Sequence, residues 1–326
     1  MENPDAPPID LNKVLEDFES TLIIILDRLL KKLNTSKPPE TIFHYTNDLG
    51  LHGIFESGQL RLSNIFSLND PSELSHGLSH AITILNSETM NGPPEAKKFA
   101  ENFSRFCQDG IKHSAYYFVS SFSTNEHDLG QWRSYADNGR GYALEFDANL
   151  LASDFAAKES GSSGQRNSTF PVTYADNEII DIHRQFITAF IPLISVPLNM
   201  TCTGLSAQDY QTHLSSILSM YALEASLYFK HEAYEKEAEF RFLQIFGRDE
   251  PMDVKWRARS NELVAYREFD WRGTQPRVLK RIIIGPAADR QKATRFIKEC
   301  LTAYHPKNQV DVEIDYSTIP YRAVPN

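Results

Sequence analysis

The chain has 326 residues, 41% of them hydrophobic and 23% charged, a composition that fits a globular protein with a large core. A formal net charge of -10 excludes a surface that coats nucleic acid generally, because phosphate binding needs concentrated Lys and Arg. It leaves room for a local basic groove. Cys107, Cys202 and Cys300 stand far apart with no Cys-x-x-Cys pair, so neither a disulfide framework nor a structural zinc site is expected. The start Met-Glu-Asn-Pro-Asp lacks a signal peptide's basic region, and the apolar run from Thr21 stops at Asp27, short of the ~20 residues of a membrane span. A cytoplasmic protein with no membrane segment is the expectation.

In chain order, residues 9–34 predict one helix, because Leu11, Val14, Leu15, Phe18, Leu22, Ile25, Leu26 and Leu29 recur at helical spacing. The stripe packs on its own domain or recruits a partner protein. Ser36-Lys37-Pro38-Pro39 ends it, so residues 1–40 read as a helix and linker and residues 41–326 as one domain. Within that domain, strands are predicted over 42–46, 60–64, 116–123, 141–146, 171–174, 237–246, 262–269, 281–285 and 310–315. Helices are predicted over 49–57, 72–85, 94–112, 128–136, 177–191, 206–230 and 286–303. Several strands follow one another without an intervening helix, which favours an α+β fold. The Ser/Gly-rich stretch 159–168 reads as a loop.

Four constellations could carry chemistry. Phe43-His44-Tyr45-Thr46, then Gly58 and Leu60-Arg61-Leu62-Ser63, read as strand, helix, turn and strand, with His44 and Ser63 able to hydrogen-bond a ribose or an amide. Asn69-Asp70-Pro71-Ser72-Glu73 is a turn and helix cap, or a carboxylate pair for a metal. Trp132 and Tyr135 share a helical face and either stack a planar ring or fill the core. From Glu237 the chain alternates in period two, so Glu237, Glu239 and Arg241 are predicted on one strand face, with Ala238, Phe240 and Phe242 on the other. Such a face is either a ladder of ion pairs or an active-site wall. Lys230 and Tyr234 sit one helical turn apart just before it, where a cation meets a phosphate or favours the helix C-terminus. No Walker A, GxGxxG, HExxH or GxSxG motif is present.

In this order, His44-Tyr45-Thr46, Gly58 to Ser63, Asn69 to Glu73, Ser121-Phe122-Ser123, Trp132 to Ala136 and Lys230 to Arg241 resemble the bacterial family catalogued as domain of unknown function 2971. Tyr234 replaces that family's usual Trp. A weaker resemblance links the first block, the Gly-to-Ser strand and the late Glu-x-Glu to ADP-ribosyltransferases. That resemblance implies two small antiparallel sheets forming a split-sheet cleft with flanking helices, and NAD as substrate. It implies Glu239 as the catalytic carboxylate, Glu237 as its helper towards the acceptor, and His44 at the nicotinamide-side ribose. Tyr45, Thr46, Arg61, Ser63, Trp132, Tyr135, Lys230 and Arg241 would complete the NAD site, with Trp132 or Tyr135 stacking nicotinamide and Arg61, Lys230 or Arg241 reaching pyrophosphate. The expected activity is cleavage of the nicotinamide–ribose bond through an oxocarbenium-like transition state, with transfer to a protein or nucleic-acid acceptor. A toxin or phage-defence role follows from the same resemblance. The competing readings are a non-catalytic binding protein and a Mg-dependent nuclease using Asp70, Glu73, Glu237 and Glu239.

Overall fold

A computed structural model describes residues 9–34, 39–68, 72–109, 115–157, 165–196, 198, 202–247, 253–259, 261–272, 277–304 and 312–323. The first half of the chain runs β1 (Ile9–Asp10), α1 (Leu11–Asn34), β2 (Thr41–Thr46), α2 (Asp48–Ser57), β3 (Gln59–Asn64), α3 (Ser72–Thr89), α4 (Pro94–Asp109), β4 (Ala115–Ser123), α5 (Leu129–Tyr135), β5 (Tyr142–Asp147) and α6 (Ala148–Ala157). The second half runs β6 (Gln165–Pro171), α7 (Asp176–Ile194), β7 (Cys202–Thr203), α8 (Ala207–Ser226), β8 (Glu239–Gly247), β9 (Lys255–Arg259), β10 (Glu262–Asp270), β11 (Leu279–Ile284), α9 (Arg290–Tyr304) and β12 (Glu313–Tyr316). Mixed helices and mostly antiparallel strands make this an α+β protein.

The chain divides into two compact units. One takes residues 1–35, 70–115 and 173–232, the other residues 36–69, 116–172 and 233–326. The first is helical. In it, α1 belongs with α7 and α8: Leu11, Leu15 and Phe18 are buried, and Phe18 meets Phe190 edge-on at 4.0 Å. Short parallel strands β1 and β7 pair Ile9 with Cys202 and Asp10 with Thr203. Gly77 lies in the middle of α3, where a Cβ would come within 2.4 Å of the Ser226 hydroxyl and 2.9 Å of Ile179. A helical glycine costs about 1 kcal/mol against Ala. Here it lets α3 approach α7 and α8 closely.

The second unit holds one hydrogen-bonded sheet of ten strands, ordered β12-β11-β5-β2-β4-β3-β10-β9, with β8 pairing β4 and β6. Two separate sheets were expected; the strands instead form a single network with thin joints. β4 meets β2 through the register pair Phe43–Ser123 and meets β3 through Ser63–Val119 and Asn64–Phe118. One face of the sheet packs an apolar core with α2, α6 and α9, built from Ile42, Leu62, Phe122, Leu144, Phe242, Phe269, Ile54, Phe155 and Ile297. A smaller cluster of Phe43, Tyr45, Trp132, Ala136, Ala143 and Ile283 lies on the opposite face. Period-two alternation explains the split, since Phe43 and Tyr45 point away from Ile42 and His44.

Local chemistry sets several boundaries. Asn47 caps α2 by accepting the Gly50 N–H at 2.9 Å, and Gly58 closes it at φ 67°, donating to the Ile54 carbonyl. The expected helix start at Pro286 moves to Arg290, because Asp289 accepts the Lys292 N–H and supplies the cap. The Ser/Gly-rich stretch is also only partly a loop. From Gln165 it becomes β6, paired with β8 from Gln165–Phe246 to Pro171–Phe240. A polar segment becomes a strand there because an apolar partner satisfies its backbone, which no local propensity records.

Candidate functional site

The acidic strand begins later than its alternation suggests. Glu232–Glu237 form a 3₁₀ turn, Ala238 sits in the left-handed region at φ 45°, and β8 opens at Glu239. The left-handed residue breaks the two-residue repeat, so Glu237 does not share a strand face with Glu239. This corrects the expected three-charge wall. The turn is stitched to β4 instead: the Ser123 hydroxyl donates to the Glu237 carbonyl at 2.7 Å, and the Thr124 N–H to the Ala238 carbonyl at 2.8 Å.

Glu239 and Arg241 do share a face, and they are buried together, 6% and 1% exposed. Arg241 donates from Nε to Oε1 at 2.7 Å and from Nη2 to Oε2 at 3.0 Å, a two-point clasp on both carboxylate oxygens. The clasp fits an ion pair that holds the strand more closely than it fits a carboxylate poised for substrate.

His44 lies on the other face. Its ring sits 5.6 Å from Phe122, half-buried against the apolar core, and its Nδ1 is buried without a hydrogen-bond partner among the described residues. Burial pushes its pKa down to about 4, opposed by a hydrogen bond with the Ser121 backbone. It is a neutral core imidazole, separated by the sheet from Glu239, and the expected union of the two does not form. Thr46 is likewise buried on the His44 face, beside α2. Tyr45 faces the opposite way, donating its hydroxyl to the Asn125 carbonyl at 2.8 Å. Burial, then Asp128 and Glu126, hold that phenol well above its ordinary range.

Trp132 is fully buried, edge-on to Tyr45 at 5.0 Å, so the packing role of this pair governs and the ring offers no face to nicotinamide. Tyr135, its helical neighbour, is 42% exposed. Lys230 lies in the helical unit, buried, its N–H bonded to the Thr173 carbonyl at 3.0 Å. Asn69, Asp70 and Pro71 lie outside the described residues, as do the side chains of Ser72 and Glu73.

Arg61 and Ser63 stand together on β3, on the sheet face that also carries Glu239 and Arg241, and they are joined there by side chains of β9 and β10. Register pairs Tyr266 with Ser63, Glu268 with Arg61 and Lys255 with Tyr266, so all five side chains share that face. The Arg61 guanidinium lies 4.7 Å over the Tyr266 ring and 3.6 Å from Glu268, while Lys255 takes Glu268 at 2.6 Å. Arg257 on β9 donates to the Ser63 hydroxyl at 3.2 Å, yet its Nε is buried without a partner among the described residues. Its pKa falls below the ordinary arginine value through burial, then through the charges of Arg61 and Arg259. Three guanidinium groups repel one another there. A neighbouring pocket of about 280 Å³ is lined by Gln59, Asp253, Lys255, Arg267 and Glu268.

Two further groups escaped the sequence reading. Arg281 on β11 gathers Glu145, Glu126 and Asp315 at 2.5, 2.7 and 2.9 Å. Burial opposes its charge, but the three carboxylates outweigh that and raise its pKa. The three acids come from distant positions, so only the fold assembles them. The second group is histidine-rich and lies in the helical unit, where His76 and His80 on α3 stand beside Asp176 at the start of α7. The signal for it was the four-residue spacing of His76 and His80, which puts both on one helical face.

The molecule is thus an α+β protein whose sheet carries a large apolar core on one face and, on the other, a smaller apolar cluster beside arginine and carboxylate groups. Residues 131–242 match the family model described as protein of unknown function (DUF2971), the family that the ordered motifs resemble. No curated protein and no solved structure matches the chain.

Proposed function

We propose that the sheet unit binds a phosphate-bearing nucleotide on the face of β3, β10 and β9, with NAD as the candidate that the resemblance to ADP-ribosyltransferases supplies. The observation that carries this reading is Arg257, wedged between Arg61 and Arg259 with a buried Nε that has no hydrogen-bond partner among the described residues. A buried donor left unpaired costs about 1–3 kcal/mol, and like charges add to that. A phosphate oxygen answers both problems, since it accepts the N–H and neutralises the cluster. Ser63 and Arg61 supply further donors on that face, as the resemblance asks of them.

NAD cleavage is the second reading. In its favour, Glu239 occupies the same sheet face as Arg61 and Ser63, and the thin joints at β4 suit a sheet that splits into two lobes around a ligand. Catalysis would require Arg241 to release one carboxylate oxygen to the ribose.

Calorimetric titration with NAD, ADP-ribose and inorganic pyrophosphate at low salt tests the binding, followed by an assay of the NAD for free nicotinamide. Saturable binding that Arg257→Gln weakens about tenfold or more is expected, in line with ~1.5–3 kcal/mol for a charged hydrogen bond. No heat with any of the three ligands would overturn the proposal. Binding without nicotinamide release removes the cleavage reading and leaves a nucleotide-binding module.

A further inference from the structure

We propose that His76, His80 and Asp176 form a binding site for a divalent transition metal of the zinc class, in the helical unit and from residues that the proposed nucleotide face does not use. Their ligand atoms all lie within 4.8 Å of one another. His76 Nε2 stands 2.9 Å from Asp176 Oδ1, and the His76 and His80 rings are 5.0 Å apart, nearly perpendicular. Two metal–ligand bonds of ~2.0–2.1 Å put neighbouring ligand atoms roughly 3.3 Å apart in a tetrahedron, so small side-chain rotations close this set around one ion.

The chemistry of the donors narrows the guest. Two imidazoles with one carboxylate suit Zn²⁺ and its first-row neighbours, whereas Mg²⁺ and Ca²⁺ prefer oxygen alone. Three protein ligands leave a coordination position for water. The exposed His231 ring lies 5.3 Å from the His76 ring.

Three features single this cluster out from an ordinary surface group. His80 Nε2 is buried with no hydrogen-bond partner among the described residues, so a lone pair or N–H is held there without use. Gly77, between the two histidines, is what lets α3 come close enough to α7 for His76 to reach Asp176. The His76–Asp176 contact also holds one imidazole in place, which lowers the cost of ordering it around an ion.

The test uses the full-length, tag-free chain stripped with a chelator and titrated with Zn²⁺ against a chromophoric competitor, then with Co²⁺ for its visible absorption. One Zn²⁺ per chain is expected, with Co²⁺ bands of a four-coordinate site and a raised melting temperature on Zn²⁺ addition. His80→Gln is the decisive variant, because His80 Nε2 has no hydrogen bond among the described residues to lose and the metal-free melting temperature should stay as it was. It should weaken Zn²⁺ binding more than about 100-fold, beyond the range seen for groups that only support a ligand. His76→Gln and Asp176→Asn should each weaken it as well. Absence of stoichiometric binding, or a His80→Gln chain that holds Zn²⁺ as tightly as the parent, would overturn the site. Neither result bears on nucleotide binding, which rests on other residues.

Discussion

At the scale of the residue, the Glu239–Arg241 pair decides how the acidic motif behaves. Both groups are buried, and each satisfies the other through two hydrogen bonds. Removing one partner takes this ion pair away from a charge still held in the interior, whereas replacing both by apolar groups removes the problem. Glu239→Ala is therefore expected to destabilise the protein by about 3–5 kcal/mol, while Glu239→Ala with Arg241→Met should recover most of that loss. Urea denaturation of the two chains checks it. A double variant that loses more than Glu239→Ala alone would mean that the two side chains contribute independently. The same residues show what the sequence could reveal. Period two placed Glu239 and Arg241 on one face correctly. It gave no sign that the guanidinium would close on the carboxylate, because geometry within the pair depends on burial that the pattern does not encode. His44 illustrates the reverse case, a polar residue whose strand was legible but whose face depends on pairing with β4 and β5.

At the scale of the element, β8 is shaped by its entry. Ala238 holds φ 45° between the 3₁₀ turn and the strand, a conformation that costs a non-glycine residue about 1–2 kcal/mol. The carbonyl of Ala238 accepts from Thr124, and that of Glu237 from Ser123, so the strained turn is fixed against β4. Ala238→Gly removes the strain but makes the unfolded chain more flexible, and the balance should stabilise the protein by about 0.5–1 kcal/mol. Thermal denaturation measures it, and a destabilised variant would show that the alanine methyl group contributes more than the strain takes away. The element also explains the misplaced boundary. A sequence that alternates smoothly from Glu237 to Phe242 contains no Gly or Asn to announce a left-handed residue, so the break at Ala238 could not be read locally. Helices fared better: Asn47 and Gly58 mark both ends of α2 in ways the sequence states outright. Among the strands that were missed, β6, β1 and β7 owe their conformation to partners distant in the chain, and β9 to a hairpin with β10.

At the scale of the whole molecule, each compact unit is assembled from three separate stretches of chain, so neither is a contiguous piece of sequence. The N-terminal helix is where this matters most. The apolar stripe of α1 raised two possibilities, a helix that packs at home and one that recruits a partner. Its first turns answer for packing, with Leu11, Leu15 and Phe18 buried and β1 hydrogen-bonded to β7. Further along, Ile23 and Ile24 are exposed and offer little to that core. Burying three large apolar side chains is worth about 1.5–3 kcal/mol each, so deleting residues 1–35 should cost the helical unit on the order of 5 kcal/mol. The deletion also uncovers Phe190, which sits between Phe18 and Phe99, and leaves β7 without its parallel neighbour. Thermal denaturation followed by circular dichroism should show an early loss of helix in the truncated chain, beyond the signal of the deleted segment. Ile23→Ser with Ile24→Ser should leave the melting curve unchanged, since neither side chain is in the core. A truncated chain that melts like the full one would make α1 an appendage and return the stripe to a partner.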